Sequence, residues 1–342
     1  MRALVLHPRH WADKRLWPKG VEVRHVAIGG ETPRRSSGAP TLDGVGDVAT
    51  EDGKRALLNI AREWVPDVFM FGIHIRFDRD TVKAFKRLCP KAKVVMWYTD
   101  QRPSISKFIK EHLGLLDALL VTNRDAADHK MYVRDIPQVI TFYDGVDPDE
   151  YWPKPVRPTY DCFFGGNNFW VVSKEMKAAR NNSAPWIDKF VGAKFRDEFL
   201  RAVAKQFRLK VRGEWGWTGF PVEVDRPAFD PHYVDAMREA RIVLNTVNVP
   251  RYGLLTRRFF RSIASGRLFM TEYTPGLEDA FKNHRHMVWF HEVEEGLDLI
   301  RYYLDHDDER ERIAVEGRRL ILAKHTWKHR LAEFARIMGN VI

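Results

Sequence analysis

Short apolar runs and longer amphipathic stretches alternate along the chain. In the first half, β-branched and apolar runs predict strands at 3–6, 21–28, 67–73, 93–98, 118–122 and 138–142. Helical spacing of apolar residues between these runs predicts helices at about 51–64, 79–89, 104–113 and 124–133. Such alternation is typical of an α/β fold in which a parallel, doubly wound sheet carries helices on both faces.

A proline-rich segment separates this pattern from a second one of the same kind. Later apolar runs predict strands at 160–164, 209–212, 241–245, 267–271 and 287–290. Helical patterns follow at about 186–206, 230–239, 256–265, 292–305, 307–323 and 326–338. We therefore predict a first domain at 1–150, a proline-rich linker at 151–158, a second domain at 159–324 and a C-terminal helical segment at 325–342.

Length agrees with this division, because 342 residues exceed the size at which one hydrophobic core usually keeps growing. Two Rossmann-like domains would face each other across a cleft, with ligands at the carboxyl ends of the strands. The first apolar run is too short for a signal peptide, and no run is long enough to span a membrane. With two cysteines the chain has no disulfide framework, so we predict a cytoplasmic protein, or one of the host cytoplasm if a phage encodes it.

Basic residues outnumber acidic ones, and the net charge of +10 favours polyanionic partners. DNA, RNA, an anionic membrane surface and a phosphorylated sugar donor all fit that charge, and so does a basic surface that serves solubility alone. Arg34 and Arg35 lie in a Gly-, Pro- and Ser-rich segment predicted to be a long loop. Aromatic and basic residues also interleave from Phe169 and Trp170 through Lys174, Lys177 and Arg180 to Trp186, a mixture suited to phosphate contact and base stacking.

A carboxylate follows the predicted strand 93–98. Asp100 would lie at the carboxyl end of that strand, where it could take a proton from an attacking hydroxyl group. Arg102 could bind a phosphate or keep the carboxylate ionised. The alternative is that Asp100 caps the helix that begins near Pro103.

Two further segments contain candidate anion-binding groups. Gly165, Gly166 and Asn167 follow the strand at 160–164, and paired glycines allow backbone N–H groups to approach a diphosphate, although an ordinary turn has the same composition. Thr256 is the predicted N-cap of a helix that ends at Gly266. Its early turns carry basic side chains that oppose the helix dipole unless an anion lies between them; the alternative is that they are solvated. These side chains are Arg257, Arg258 and Arg261.

These segments, in this order, resemble glycosyltransferases of the GT-B fold, in particular the phage DNA β-glucosyltransferases and the spore-maturation glycosyltransferase-like proteins. Residues 94–102 look like the family's aromatic-Thr-Asp-x-Arg motif, whose aspartate is the catalytic base. Residues 161–166 look like its strand-Gly-Gly element, and residues 258–266 look like the arginine-bearing helix that grips the donor diphosphate. The C-terminal helix would pack back toward the first domain.

The resemblance implies an inverting transfer from a nucleotide-sugar, a UDP-sugar by analogy with this family, to a hydroxyl group. Asp100 would act as the base, while Gly165, Gly166, Asn167, Thr256, Arg257, Arg258 and Arg261 would hold the donor. One departure is Arg261, which stands where the family has a ribose-binding glutamate. Glu272 is a candidate replacement, and the alternative is a donor that differs from a common uridine nucleotide. We also expect that sugar transfer does not require a metal ion, or that a divalent cation stimulates it weakly.

For the acceptor, the leading hypothesis is a hydroxymethylated base in double-stranded DNA. Arg34, Arg35, Arg102 and Lys174 are its candidate contacts. A surface polymer, a lipid-linked glycan or a protein is the alternative acceptor, and a non-catalytic nucleotide- or DNA-binding module is the third possibility. The Asp-x-Asp pairs at 78–80 and 147–149 match a metal-nucleotide spacing, but we expect no metal there.

Overall fold

The computed structural model describes residues 1–6, 13–25, 47–48, 51–72, 75–99, 107–122, 134–151, 156–178, 192–226, 232–248, 253 and 255–341. The chain forms two compact units. The first comprises Met1–Tyr143 with Trp327–Ile342, and the second comprises Asp144–Thr326. The boundary thus falls before the proline-rich segment, and the chain returns to the first unit at its C-terminal end.

The first unit is built on a parallel sheet. Its strands are β1 (Arg2–Leu6), β2 (Glu22–His25), β4 (Val68–Gly72), β6 (Lys93–Tyr98), β7 (Ala118–Val121) and β8 (Gln138–Thr141), in the order β2-β1-β4-β6-β7-β8. A short parallel pair, β3 (Asp47–Val48) and β5 (Ile75–Arg76), lies apart from it. The described helices are α1 (Glu51–Trp64), α2 (Arg79–Leu88) and α3 (Lys107–His112), with a 3-10 turn at Lys14–Leu16.

Side chains of this sheet pack into two different hydrophobic cores, one on each face, because successive side chains of a strand point to opposite faces. Phe69 and Phe71 pack on one face with helix residues such as Phe85. Val68 and Met70 point to the other face, which is covered by the last helix of the chain, Trp327–Val341. The C-terminal helix is therefore an integral layer of the first unit, as the resemblance implied.

The second unit repeats the architecture. Its strands are β9 (Tyr160–Gly165), β10 (Leu209–Arg212), β11 (Val224–Asp225), β12 (Ala240–Asn245), β13 (Leu268–Glu272) and β14 (Val288–Phe290), all parallel, in the order β11-β10-β9-β12-β13-β14. Its described helices are α4 (Phe169–Ala178), α5 (Ala193–Gln206), α6 (His232–Arg238), α7 (Arg257–Ala264), α8 (Leu277–Ala280), α9 (Val293–Asp305) and α10 (Asp307–Lys324). The helix Trp327–Val341 of the first unit is then α11.

Helix α4 was not predicted from the sequence. Its first four residues are Phe169, Trp170, Val171 and Val172, which are aromatic or β-branched and favour strands in isolation. The helix forms because the preceding turn is fixed by tertiary hydrogen bonds, including one from the Asn168 N–H to the Trp215 carbonyl at 2.9 Å. Tertiary context has overridden local propensity here.

Candidate functional site

The order of the strands identifies a crevice in the second unit. From β9 the chain continues to β10 and β11 on one side of the sheet, and it then returns to β12, β13 and β14 on the other. Adjacent strands whose connections run in opposite directions leave a crevice at their carboxyl ends, which is where open α/β sheets bind ligands. In this unit the switch point lies between β9 and β12.

The glycine turn at the end of β9 contains both predicted glycines: Gly165 is the last residue of the strand and Gly166 follows it. A Cβ atom on Gly165 would lie 2.5 Å from Cε2 of Tyr233, so the ring of Tyr233 closes one side of the turn. A Cβ atom on Gly166 would lie 3.0 Å from Nη2 of Arg258. The missing side chains thus allow an aromatic ring and a guanidinium group to approach the backbone closely.

Arg258 connects the two strands of the switch point. Its Nη1 donates to Oδ1 of Asn245, the last residue of β12, at 3.1 Å. Its Cζ lies 5.8 Å from the ring centroid of Phe164 in β9. Together with its approach to Gly166, these contacts place a cation beside the glycine turn.

Helix α7 begins as predicted, and its neighbouring basic side chains differ in their surroundings. Thr256 is the N-cap residue with an extended backbone, but its side chain makes no capping hydrogen bond. Nε of Arg257 lies 3.8 Å from Oδ2 of Asp144, a buried carboxylate. Arg261 lies in the second turn of the helix and is partly buried. Of these three arginines, Arg258 is the one that the described contacts place at the glycine turn.

A second guanidinium lies beneath the same crevice. Arg196, in the first turn of α5, is 3% exposed and donates to three oxygen atoms. Nε reaches Oγ1 of Thr246 at 2.8 Å, Nη2 reaches the Thr246 carbonyl at 2.8 Å, and Nη1 reaches the Asn167 carbonyl at 2.7 Å. Since Asn167 follows β9 and Thr246 follows β12, this buried cation joins the two loops at the switch point.

Glu272, at the end of β13, is the buried carboxylate of this region. It is 8% exposed, and its Oε2 accepts the Val247 N–H at 3.1 Å. Burial raises the pKa of Glu272 to about 7, against the opposing effects of the Val247 N–H and the charge of Arg196. Glu272 is thus engaged with the loop after β12, and its contact with a donor ribose stays a prediction.

Burial also changes the pKa of Arg196. Desolvation lowers the pKa of Arg196 to about 9; the neighbouring charge of Arg258 acts in the same direction and Glu272 opposes it. The two guanidinium groups therefore repel each other, and both lie near the ring of Phe164, whose centroid is 5.4 Å from Cζ of Arg196 and 5.8 Å from Cζ of Arg258. An anion in the crevice would reduce that repulsion.

The remaining donor and acceptor candidates lie around helix α4. The Asn167 side chain accepts hydrogen bonds from the N–H groups of Glu214 and Trp215 at 2.9 and 3.3 Å. Asn167 therefore holds the turn, and its contact with the donor stays a prediction. Lys174 is exposed, and its Nζ lies 4.7 Å from the ring centroid of Trp170. Two residues separate the N-terminus of α4 from Gly166, and the dipole of a helix favours an anion near its N-terminus.

Four predicted residues fall outside the described part of the chain: Asp100, Arg102, Arg34 and Arg35. Strand β6 ends at Tyr98, two residues before the predicted base. Within the described ranges, no group of three His, Cys, Asp or Glu side chains is arranged to hold a metal ion. Asp78, in one of the Asp-x-Asp pairs, caps α2 by accepting the Thr81 N–H at 2.8 Å.

Sequence reasoning did not single out Arg196, although one signal was available. Arg196 shares a helix face with Leu200 and Val203, at positions i+4 and i+7, and both are fully buried. An arginine on the apolar stripe of an amphipathic helix is expected to be buried, and a buried guanidinium needs acceptors. Asn245 and Thr246 carried no such signal, because their partners are distant in sequence.

Comparisons with known proteins agree with this geometry. Residues 196–336 match the model of a family described as glycosyl transferase-like. A comparison with curated protein sequences gives no match. The family match begins at Arg196 and covers most of the second unit.

Solved structures extend the likeness to the whole chain. Sucrose-phosphate synthase from Thermosynechococcus elongatus is 10% identical, with 100% of this chain and 99% of that chain covered and a TM-score of 0.61. HepE from Anabaena in complex with UDP-glucose is 10% identical, with 99% and 100% covered and a TM-score of 0.60. A TarM variant from S. aureus, in a complex that includes UDP, is 10% identical, with 84% and 59% covered and a TM-score of 0.55. The predicted GT-B fold is confirmed, and the family match supports a glycosyltransferase.

Proposed function

We propose that this glycosyltransferase moves a sugar from a UDP-sugar to a hydroxyl acceptor, and that the crevice between β9 and β12 binds the donor diphosphate. The observation that carries the proposal is the position of Arg258, which lies against Gly166 and donates to Asn245 at the switch point. A guanidinium group beside a glycine turn and a helix N-terminus is suited to a diphosphate. HepE, which shares the fold, binds UDP-glucose.

In the proposed reaction the acceptor oxygen attacks the anomeric carbon while the bond from that carbon to the diphosphate oxygen breaks. The diphosphate leaves with the bonding electron pair, and Asp100 takes the proton of the attacking hydroxyl. Arg258 stabilises the developing charge. The Gly166 N–H, a predicted donor group, instead donates to the Arg212 carbonyl at 2.8 Å. Direct displacement inverts the anomeric configuration, and an NMR spectrum of the product checks this point.

For the acceptor we propose a hydroxymethylated base in double-stranded DNA. The net charge of +10 supports a polyanionic partner. Arg34, Arg35, Arg102 and Lys174 stay its proposed contacts. A glycan, lipid-linked or protein acceptor is the alternative outcome of the experiment, and in either case the protein acts in the cytoplasm. Within the described residues, no helix is long and apolar enough to cross a membrane.

The test is a panel of nucleotide-sugars incubated with plain and hydroxymethylated DNA, with EDTA or with added Mg²⁺, followed by mass spectrometry of the digested nucleosides. Added sugar mass on the modified base alone supports the DNA acceptor. Donor turnover without DNA modification favours the glycan, lipid or protein acceptor. Absence of both donor binding and turnover for every nucleotide-sugar contradicts the proposed function.

Asp100→Asn tests the base. The amide cannot accept the proton, so we expect donor binding to be retained while transfer falls by about 100-fold or more. Asp117→Asn in the same unit is a control for the loss of one carboxylate, because Asp117 pairs with Lys86 at 3.0 Å at the start of β7. Near-normal turnover by Asp100→Asn would remove Asp100 from the mechanism.

A further inference from the structure

The loops that flank the proposed diphosphate crevice are held together from beneath by one side chain. Arg196 binds the Asn167 carbonyl after β9 and both the carbonyl and the hydroxyl of Thr246 after β12. No two of these residues are close in sequence: Asn167 and Thr246 are separated from Arg196 by 29 and 50 positions. The contacts therefore fix the spacing of the two loops at the switch point.

The peptide that joins Asn167 to Asn168 is held at both of its polar ends. Its carbonyl oxygen accepts from Arg196 at 2.7 Å, and its N–H, on Asn168, donates to the Trp215 carbonyl at 2.9 Å. This carbonyl is partly buried, so without the guanidinium it would need a replacement donor such as water. The turn would then have to rotate or admit water, and its position relative to Arg258 would change.

Arg196 and Arg258 have different exposures and therefore different roles. Arg196 is 3% exposed and directs its three described hydrogen bonds at protein oxygen atoms, whereas Arg258 is partly exposed beside Gly166. The ring of Phe164 lies near both guanidinium groups. Arg196 thus lies below Arg258, the residue that would contact the ligand.

We propose that Arg196 is a positioning residue for the donor diphosphate: by joining the Asn167 and Thr246 loops, it holds the glycine turn at the distance from Arg258 that a diphosphate requires. This inference rests on the proposed function. Its consequence is that Arg196 contributes to recognition of the diphosphate and leaves recognition of the nucleoside unchanged.

The test compares the affinities of the full-length protein for UDP and for uridine by calorimetry. In Arg196→Met, which removes all three hydrogen bonds, we expect the Kd for UDP to rise by about 10- to 100-fold, the range for hydrogen bonds donated by a charged group. The Kd for uridine should change by less than about twofold. Arg196→Lys keeps the charge and can reach fewer acceptors, so its UDP affinity should lie between those of the wild type and Arg196→Met.

Lys205→Met is the matched control, because Lys205 is an exposed cation on the same helix. It should leave both affinities unchanged. Thr246→Val tests the same link if Arg196→Met fails to fold, since it removes the hydroxyl acceptor of Arg196 while keeping the shape of the side chain; we expect a smaller rise in the Kd for UDP, of about threefold to tenfold.

The outcomes separate this inference from the proposed function. A selective loss of UDP affinity in the Arg196 or Thr246 variants supports the positioning role. An unchanged ratio of UDP to uridine affinity in folded variants, or an equal loss for both ligands, overturns that role and leaves the proposed function standing. If the wild-type protein binds no nucleotide-sugar or UDP, the proposed function fails and the positioning role fails with it.

Discussion

Replacing Arg258 by Met is the most direct test of the diphosphate crevice. The change removes a guanidinium whose Nη2 would lie 3.0 Å from a Cβ atom on Gly166, and it also removes the hydrogen bond to Asn245. A charge-assisted hydrogen bond contributes about 1.5–3 kcal/mol, and two unit charges about 4 Å apart near a protein surface interact with about 4 kcal/mol. We therefore expect UDP binding to weaken by about 2–4 kcal/mol, which is about 30- to 1000-fold in Kd.

Arg257→Met is the comparison, because it removes the same group from the preceding residue of the same helix. The Arg257 guanidinium faces the buried carboxylate of Asp144, with Nε 3.8 Å from Oδ2. Its charge is already partly compensated, so its removal should weaken UDP binding by less than about 1 kcal/mol. Both variants remove one positive charge from the same helix, so a difference in their UDP affinities shows the effect of the position of that charge.

Calorimetric titration with UDP at low and high salt measures both variants. Arg258→Met should lose most of its salt dependence along with its affinity, because the missing cation no longer attracts the diphosphate. Urea unfolding serves as the check on structure, since Asn245 loses one donor and stability should fall by only about 1 kcal/mol. Equal losses of UDP affinity in the two variants, or a larger loss in Arg257→Met, would refute the assignment of Arg258 to the diphosphate.

Two further predictions concern stability. Burial raises the pKa of Glu272 from 4.5 to about 7, so between these values the folded chain binds a proton that the unfolded chain lacks. The free energy of unfolding should fall by up to about 3 kcal/mol as the pH rises through this window. Glu272→Gln should flatten the slope when urea midpoints at pH 5 and pH 8 are compared; an unchanged slope would exclude Glu272 as its source. In the first unit, Trp327→Ala should cost about 3–5 kcal/mol, because Trp327 is 3% exposed and packs edge-on against Trp97 with centroids 6.1 Å apart. Lys328→Ala, at an exposed neighbouring position, should stay near wild type in the same urea titration, and equal losses would contradict the packing argument.

The periodicity of apolar residues predicted the layers of the fold because the burial of each strand or helix leaves its own pattern in the sequence. The runs at 68–72 and 93–98 are buried on both faces, and such strands are continuous apolar segments in a parallel sheet. The helix at 51–64 was predicted at its observed bounds, since its buried residues include Leu57, Ala61 and Trp64 at helical spacing. The predicted GT-B fold followed from this alternation together with the recognised motifs.

The candidate site was predictable in part, for a reason that lies in its topology. Gly165 ends a strand, Gly166 follows it, and Arg258 is the second residue of a helix, so these residues could be assigned to the carboxyl edge of the second sheet. Which arginine of the helix reaches the glycine turn depends on the rotation of the helix against the sheet, and the sequence alone left that choice open. The contacts of Arg196 depend on loops from three separate segments, and no local pattern specifies them.

The buried charges give the crevice its electrostatic character. Arg196 and Arg258 carry two positive charges near the ring of Phe164, and the charge of Arg258 disfavours the charged form of Arg196. Glu272 compensates incompletely, because burial raises its pKa to about 7 and leaves the carboxyl partly protonated at neutral pH. A fold that keeps two cations so close retains unfavourable electrostatic energy, which a bound dianion would relieve. The repulsion by Arg258, which adds to the larger effect of burial in lowering the pKa of Arg196, is therefore one contribution that we propose to binding of the donor diphosphate.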